Sequence, residues 1–337
     1  MMKSRRASIQ LIYEGKNITD DISSDLKSFT YTDNASGSSD DVSIELKDDH
    51  GKWISSWAPS KGDVIIPTII TENWNFDGDS QSLYCGRFII DEPSYSGRPR
   101  ILSLGAISAP ADSNFMTVKR SRTWQKASIK KIAQTIADNA KLALYFNLSS
   151  DPVIPFIEQS KEADASFLTN LCQKNGLAIK IYNQRIVIFN EMEYEVKPSV
   201  PTIGEADLMQ WSAKTTLTDT GYDGCKIAYT SPKSNKTLSY TYRPEGKTGN
   251  KIYQINDTAT DLAEAERYAK CKLQELNKGE YTLSLEMPGN LALFPTQVVT
   301  VEDLGIFNGN YYIDRVSHKI GGGFTTSLEL HKCLVGY

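Results

Sequence analysis

The side chains able to do chemistry are few and scattered. Histidine occurs at His50, His318 and His331 only, and no His-x-x-x-His pair or Cys/His cluster has the spacing of a zinc site. His50 sits in Asp48-Asp49-His50-Gly51, the composition of a solvated turn. His318 falls in a strand-like stretch, where a face or interface histidine is the expectation rather than a catalytic one. A cysteine nucleophile would need a histidine partner, whereas Cys172 lies on the apolar face of a helical pattern. Asp77-Gly78-Asp79 opens like a calcium loop, but Phe88 stands where the closing Glu belongs. Glu245-Gly246-Lys247-Thr248 contains the Gly-Lys-Thr of a phosphate loop, with Thr241 in place of the first glycine. Both read as surface loops. Asp and Glu number 41, yet no motif pairs two of them for glycoside cleavage. The expectation is a protein with no catalytic residues, no metal and no cofactor.

Composition points the same way. The 337 residues suggest two domains at about 150 residues each. Hydrophobic residues are 40% and charged residues 23%, ordinary for a folded chain. Lys plus Arg number 37, so the net charge is −4, the wrong sign for general affinity to nucleic acid or anionic membrane. No apolar run approaches the roughly 20 residues of a membrane-spanning helix. Cys85, Cys172, Cys225, Cys271 and Cys333 are odd in number and lack a Cys-x-x-Cys, which reads as small buried hydrophobes in a reducing cytoplasm.

The elements that must position any site are mostly strands. Ser8 to Tyr13 and Asp41 to Leu46 alternate polar with apolar, as half-buried strands do. Further strands are expected at Asp63 to Thr71 and Gly86 to Asp91, with loops at 33–40 and 72–82. The middle changes character. Ser128 can cap a helix whose Ile129, Ile132, Ala133, Ile136, Ala137 and Ala140 share one face. A second helix begins at Asp164 or Ser166 and ends at Gly176. A hairpin follows, 178–182 and 185–189, turning on Asn183-Gln184. Strands resume at 213–217, 224–230, 237–242, 281–286, 297–301, 310–316 and 324–331, interrupted by one helix that Gly279 stops. The fold class expected is α+β and β-dominated. Its domains are a first β-barrel at 1–122, an inserted helix-plus-hairpin unit at 123–198, and a second β-barrel at 199–337 with a late helix at about 259–277.

A weak self-similarity links the two ends. Gly86-Arg87-Phe88-Ile89-Ile90-Asp91 matches Gly309-Asn310-Tyr311-Tyr312-Ile313-Asp314 as Gly, any, aromatic, any, Ile, Asp. Each copy follows a strand rich in β-branched residues (Asp63-Val64-Ile65-Ile66; Gln297-Val298-Val299-Thr300-Val301) and precedes a Gly turn and an alternating strand. Three strands in matching order suggest two copies of one barrel-like unit. Three such chains in a ring would present six similar units to a hexameric partner while keeping threefold symmetry.

The same residues carry a family resemblance. Gly62-Asp63-Val64, the Gly86-x-Phe88-x-Ile90-Asp91 stretch, the Trp124 helix lead-in and Phe167-Leu168-x-x-Leu171 running to Gly176-Leu177 come in order. They are followed by the late Ala-rich helix and Gly309-x-Tyr311-x-Ile313-x-x-Val316-x-His318. This order resembles the phage late-control-D-like baseplate hub proteins, central hubs of contractile tails, and the hub portion of type VI secretion spikes. The resemblance implies a homotrimer with a central channel, contacting the tail tube protein on one side and the spike protein on the other. Other baseplate proteins and the tape measure would be further partners, with assembly in the bacterial cytoplasm and release in a virion or bacteriocin-like particle. The inserted unit would lie outside the ring, and spike or lysozyme modules would be separate chains. Strands near 64–71, 84–91, 281–287 and 297–302 are the expected channel wall and tube-facing rim. Candidate subunit or tube contacts are Val64, Ile66, Phe88, Ile90, Val299, Tyr311 and Ile313, with Trp53, Trp57 and Trp74 as loop aromatics that either cover core or anchor an interface. The competing readings are a tail-associated cell-wall hydrolase and a receptor- or glycan-binding tail protein.

Overall fold

The computed structural model describes residues 4–110, 114–230, 236–334 and 336–337. The N-terminal strands are β1 (Arg6–Tyr13), β2 (Lys16–Asn17), β3 (Leu26–Asn34), β4 (Asp41–Lys47), β5 (Val64–Glu72), β6 (Ser80–Tyr84), β7 (Phe88–Ser96) and β8 (Ile101–Ile107), with the short helix α1 (Thr19–Ser23). The middle holds α2 (Asn114–Thr117), β9 (Lys119–Ser128), α3 (Ile129–Ala140), β10 (Ala143–Asn147) and β11 (Val153–Ala163). It continues through α4 (Asp164–Lys174), β12 (Ala178–Tyr182), β13 (Arg185–Phe189) and α5 (Glu191–Glu195). The C-terminal part has β14 (Thr202–Ile203), β15 (Gln210–Thr215), β16 (Gly224–Thr230), β17 (Thr237–Tyr242) and β18 (Ile252–Ala259). After α6 (Leu262–Asn277) come β19 (Tyr281–Pro288), β20 (Val298–Val301), β21 (Gly309–Ile320) and β22 (Phe324–Lys332). The chain is β-dominated.

Alternation in the sequence becomes two-faced strands. In β5, Ile65, Pro67, Ile69 and Thr71 are buried while the residues between them are half-buried, and β8 buries Leu102, Leu104 and Ala106 the same way. A fully buried Ile or Leu contributes roughly 2–3 kcal/mol, so these faces fix the register: a slip by one residue would turn each apolar set outward. The resulting sheet has 14 strands and runs β15-β19-β22-β21-β3-β4-β8-β7-β5-β1-β2, with β20 beside β21 and β14, and β6 beside β5.

Two stretches of this sheet have the same strand order: β3-β4-β8-β7-β5-β1 and β15-β19-β22-β21-β20-β14. Rows across them correspond. Phe29, Ile44, Leu104 and Pro93 stand opposite one another in turn, as do Trp211, Leu285, Leu328 and Val316. Tyr31, Val42, Ala106 and Ile90 form the next such row, matched by Ala213, Leu283, Leu330 and Ile313. The fine structure agrees too. The pairing of β7 with β8 shifts between Ile90 and Glu92, and that of β21 with β22 between Ile313 and Arg315, so each motif Asp (Asp91, Asp314) sits at a β-bulge. Ile90 N–H bonds Asp63 O at 2.9 Å and Gly62 N–H bonds Ile90 O at 2.8 Å; Ile313 N–H bonds Gln297 O and Thr296 N–H bonds Ile313 O, both at 2.9 Å. Gly62 (φ 93°) and Thr296 (φ 77°) share a left-handed backbone there, although only one of the two is a glycine. The outer strands differ: β1 is antiparallel to β5, but the short β14 is parallel to β20.

The middle region has its own core. Ser128 accepts the Lys131 N–H at 3.3 Å, capping α3, and Ile129, Ile132, Ala133, Ile136, Ala137 and Ala140 are all buried. They pack with Phe115, Phe167, Leu168, Leu171, Cys172, Ile186 and Ile188. Gly176, just beyond α4, takes φ 67°, the left-handed geometry that ends helices. Asn183 and Gln184 both have positive φ (46° and 61°), so the hairpin turn is the primed kind that matches strand twist. Two features have no counterpart among the expectations drawn from the sequence. β9 and β11 form a long antiparallel pair that carries no alternation signal. The late helix α6 packs on a separate three-stranded sheet, β17-β16-β18, around Cys225, Ile227, Ala259, Ala265, Ala269 and Leu273, rather than on the β19–β22 core.

Candidate interaction surfaces

The two halves of the main sheet meet where β3 pairs with the C-terminal half of β21. Asn34 stands opposite Arg315, Tyr31 opposite His318 and Phe29 opposite Ile320. Ala35 N–H bonds Asp314 O at 2.8 Å, and Arg315 Nε donates to Asn34 Oδ1 at 2.8 Å. The rings of Tyr31 and His318 stack at 6.3 Å, and Ile320 and Phe324 from the second half complete the first half's core. His318 is buried, with Thr326 Oγ1 at 3.0 Å as a polar partner. Burial pushes its pKa down to about 4, so it is a neutral packing residue.

Two buried charge clusters lock the middle region and α6 onto this junction. Lys180 Nζ reaches Asp33, Asp40 Oδ1 at 2.9 Å and Asn34 O at 2.7 Å. Asp40 is fully enclosed; burial raises its pKa to about 7 against the pull of Lys180, and its Oδ1 also accepts the Asn34 N–H at 2.9 Å. The second cluster centres on His331. Its Nδ1 lies 2.8 Å from Asp314, and its Nε2 is 3.4 Å from Glu195 Oε1, an ion contact without hydrogen-bond geometry. Burial lowers its pKa, but Asp314 and Glu195 outweigh that and hold it at about 9, so the imidazolium persists at neutral pH. Glu195 accepts from Gln274 Nε2 at 3.1 Å and the Leu334 N–H at 2.9 Å, while Lys278 pairs with Glu191 beside it. One polar node therefore ties α5, α6, β21 and β22 together. Sequence reasoning missed both clusters because their members are 147 (Asp33 to Lys180) and 139 (Glu195 to Leu334) positions apart. The only available signal was Asp314, the last residue of the repeated motif.

The contact residues expected from the sequence separate by depth. Trp53, Phe88, Ile90, Val299, Tyr311 and Ile313 lie inside the chain's own cores. Val64, Ile66 and Trp74 are half-buried, and Trp74 donates to Gly289 O at 2.5 Å, bridging the two halves. Trp57 is exposed; it packs edge-to-face on Trp53 at 5.8 Å under the Lys52 ammonium, at the rim of a cavity of about 280 Å³ lined also by Leu11, Ile22 and Leu46. His50 is exposed in a turn, and Cys172 is buried with its thiol pushed up to about 12, which leaves it protonated and unreactive. Among the described residues no group of three His, Cys, Asp or Glu side chains is placed to hold a metal ion, and no helix is long and apolar enough to cross a membrane.

Residues 109–323 match the family described as phage tail baseplate hub (GPD). The chain is 27% identical to the probable baseplate hub protein of Escherichia phage 186, over 96% of this chain and 92% of that one. It is 25% identical to the probable baseplate hub protein of Escherichia phage P2, over 95% and 92%. In fold it is similar to the 43 kDa tail protein of prophage MuSo2 from Shewanella oneidensis (TM-score 0.74, 10% identity, 97% and 98% covered). A similar likeness holds to a tail protein of Neisseria meningitidis MC58 (TM-score 0.72, 14% identity, 97% and 96% covered). The role is that of a structural tail component and not of an enzyme. The match across most of its length makes the chain a member of the phage tail baseplate hub (GPD) family.

Proposed function

We propose that the chain is the trimeric hub of a phage tail or tail-like particle, adapting a hexameric tail tube to a trimeric spike. The observation that carries this reading is the six-strand order that occurs twice, with the same bulge at Asp91 and Asp314. Residues 1–122 and 199–337 are then two related β-barrels, and 123–198 is an insertion on the outside of the ring. The β16–β18 sheet and α6 form a further lobe attached to the second barrel. Three chains supply six such units, so a tube subunit meets a similar surface every 60° on average, although the true symmetry is threefold. Residues such as Val64 and Ile66, half-buried on central strands, belong to the channel wall and tube-facing rim, and Trp57 to an exposed anchor. The role is mechanical: the ring transmits load between tube and spike around an axial passage. Other baseplate proteins and the tape measure are its further neighbours, and assembly precedes release from the bacterial cytoplasm.

Light scattering on the purified full chain tests this. The expected mass is that of three copies of a 37.5 kDa chain, and the trimer should bind the separately expressed tube or spike protein of the same particle. A monomer at micromolar concentration that binds neither overturns the reading. Clearing of purified peptidoglycan by the chain would replace it with the hydrolase alternative, and binding to glycans or whole cells with the receptor alternative.

A further inference from the structure

The N-terminal half of the sheet encloses a cavity of about 280 Å³ that the chain does not fill. Its inner wall takes one buried side chain from each of four strands, Leu11 of β1, Ile44 of β4, Ile65 of β5 and Leu104 of β8, with Ile22 of α1 below them. Loop 48–63 forms the opposite side, with Trp53 buried and Trp57 exposed. Lys16 and Ser56 also line the cavity and are exposed, so it opens to solvent beside them. The polar groups of the wall are spent within the chain. Tyr13 OH donates to Asp63, and Trp53 Nε1 donates to Asp25 Oδ2 at 3.0 Å. Water inside would find few partners, and a dry apolar cavity of this kind takes up apolar molecules. The mouth carries positive charge. Lys16 is the charged residue among the lining side chains, and among the described residues it has no carboxylate partner. Lys52 Nζ adds a second cation at the rim, 4.4 Å from the rings of both Trp53 and Trp57. Neighbouring carboxylates are already engaged: Asp63 accepts the Ser60 N–H at 2.7 Å and Glu14 the Val64 N–H at 2.5 Å.

We propose that this cavity binds a free, single-chain carboxylic acid of medium length, with the alkyl tail among Ile44, Ile65 and Leu104 and the carboxylate at the mouth beside Lys16. At about 30 Å³ for each methylene-sized group, the space holds a chain of roughly eight to ten carbons. A lipid with two long chains exceeds it, which sets the occupant apart from a membrane surface. Trp57 covers the wet end of the tail, a place suited to a ring with an apolar body and a polar N–H. Each methylene moved from water into the wall tightens binding about fourfold, so the tail supplies most of the affinity and Lys16 selects the head group. The site lies within one chain and does not depend on the ring reading above.

Titrating the full chain with ω-bromodecanoate below its micelle concentration tests this, because the bromine quenches indole fluorescence on contact with Trp53 or Trp57. Quenching should saturate and be reversed by decanoate. Octanoate, two methylenes shorter, should compete about fifteenfold less tightly, and chains beyond about ten carbons should gain nothing further. Decyltrimethylammonium, with the same tail and the opposite charge, should bind about fivefold more weakly than decanoate, and Lys16→Glu should weaken decanoate by a similar factor. Leu104→Phe places its ring in the free space and should abolish quenching while keeping the melting temperature. If that variant does not fold, Ile18→Phe at the half-buried rim narrows the same cavity and should reduce quenching. No quenching of the wild type, quenching that never saturates, or quenching that persists unchanged in the folded Phe variants would overturn the proposal. Equal binding of the cation, or of phosphatidylglycerol vesicles free of fatty acid, would overturn it as well. Shielding of Trp57 by the tube or spike protein, with no response to the acid, would give the cavity to a protein side chain instead. The trimer mass is read separately, so failure here leaves the ring reading in place.

Discussion

Replacing His331 with Gln should cost stability in a pH-dependent way. In the folded chain the imidazolium lies between Asp314 and Glu195, and its pKa is about 9 against an ordinary value of 6.5. A raised folded pKa means that the favourable interaction is fully present below pH 6.5 and is lost as pH rises through 9. The shift of about 2.5 units corresponds to roughly 3 kcal/mol at 1.36 kcal/mol per unit, an upper figure because Asp314 is partly solvated and screened. At on the order of 2 °C per kcal/mol for a chain of this size, His331→Gln should melt about 6 °C below the wild type at pH 6. The gap should close progressively between pH 7 and pH 10. Differential scanning fluorimetry across that range reads it directly. A gap that stays constant from pH 6 to pH 10 would refute the assignment of a charged histidine to this node.

Two other outcomes follow from the same structure. Lys180→Met leaves Asp33 and the enclosed Asp40 without their cation, so the chain should lose about 3–5 kcal/mol, read by urea denaturation; Lys180→Arg should lose less. Gly176→Ala places a Cβ 2.3 Å from Cys271 Sγ in a left-handed backbone, which should cost more than about 2 kcal/mol, and adding Cys271→Ala should restore part of it.

Much of the scaffold was legible because one physical signal dominated it. Where a strand has one wet face, as in β4, β5 and β8, alternation locates it within a residue or two. The Ser128 cap and the apolar stripe of α3 were equally plain. β9 and β11 were not legible because neither has a continuous dry face: most of their residues are exposed or half-buried, and the pair is held by its backbone ladder. The loop expected at 33–40 begins two residues late, because Asp33 and Asn34 extend β3 to pair with β21, a contact 281 positions distant at Arg315–Asn34. Apolar strand residues such as Phe88 and Tyr311 have the composition of an interface as well as of a core, and alternation cannot separate the two. Trp211, Leu217 and Tyr95, among the large apolar residues left exposed, carry no signal in the sequence that sets them apart from core positions.

An image of the isolated full chain by cryo-electron microscopy examines the doubled strand unit most directly. The account predicts closed three-chain rings with six similar lobes. A particle with three lobes of one kind, or isolated single chains, would contradict it.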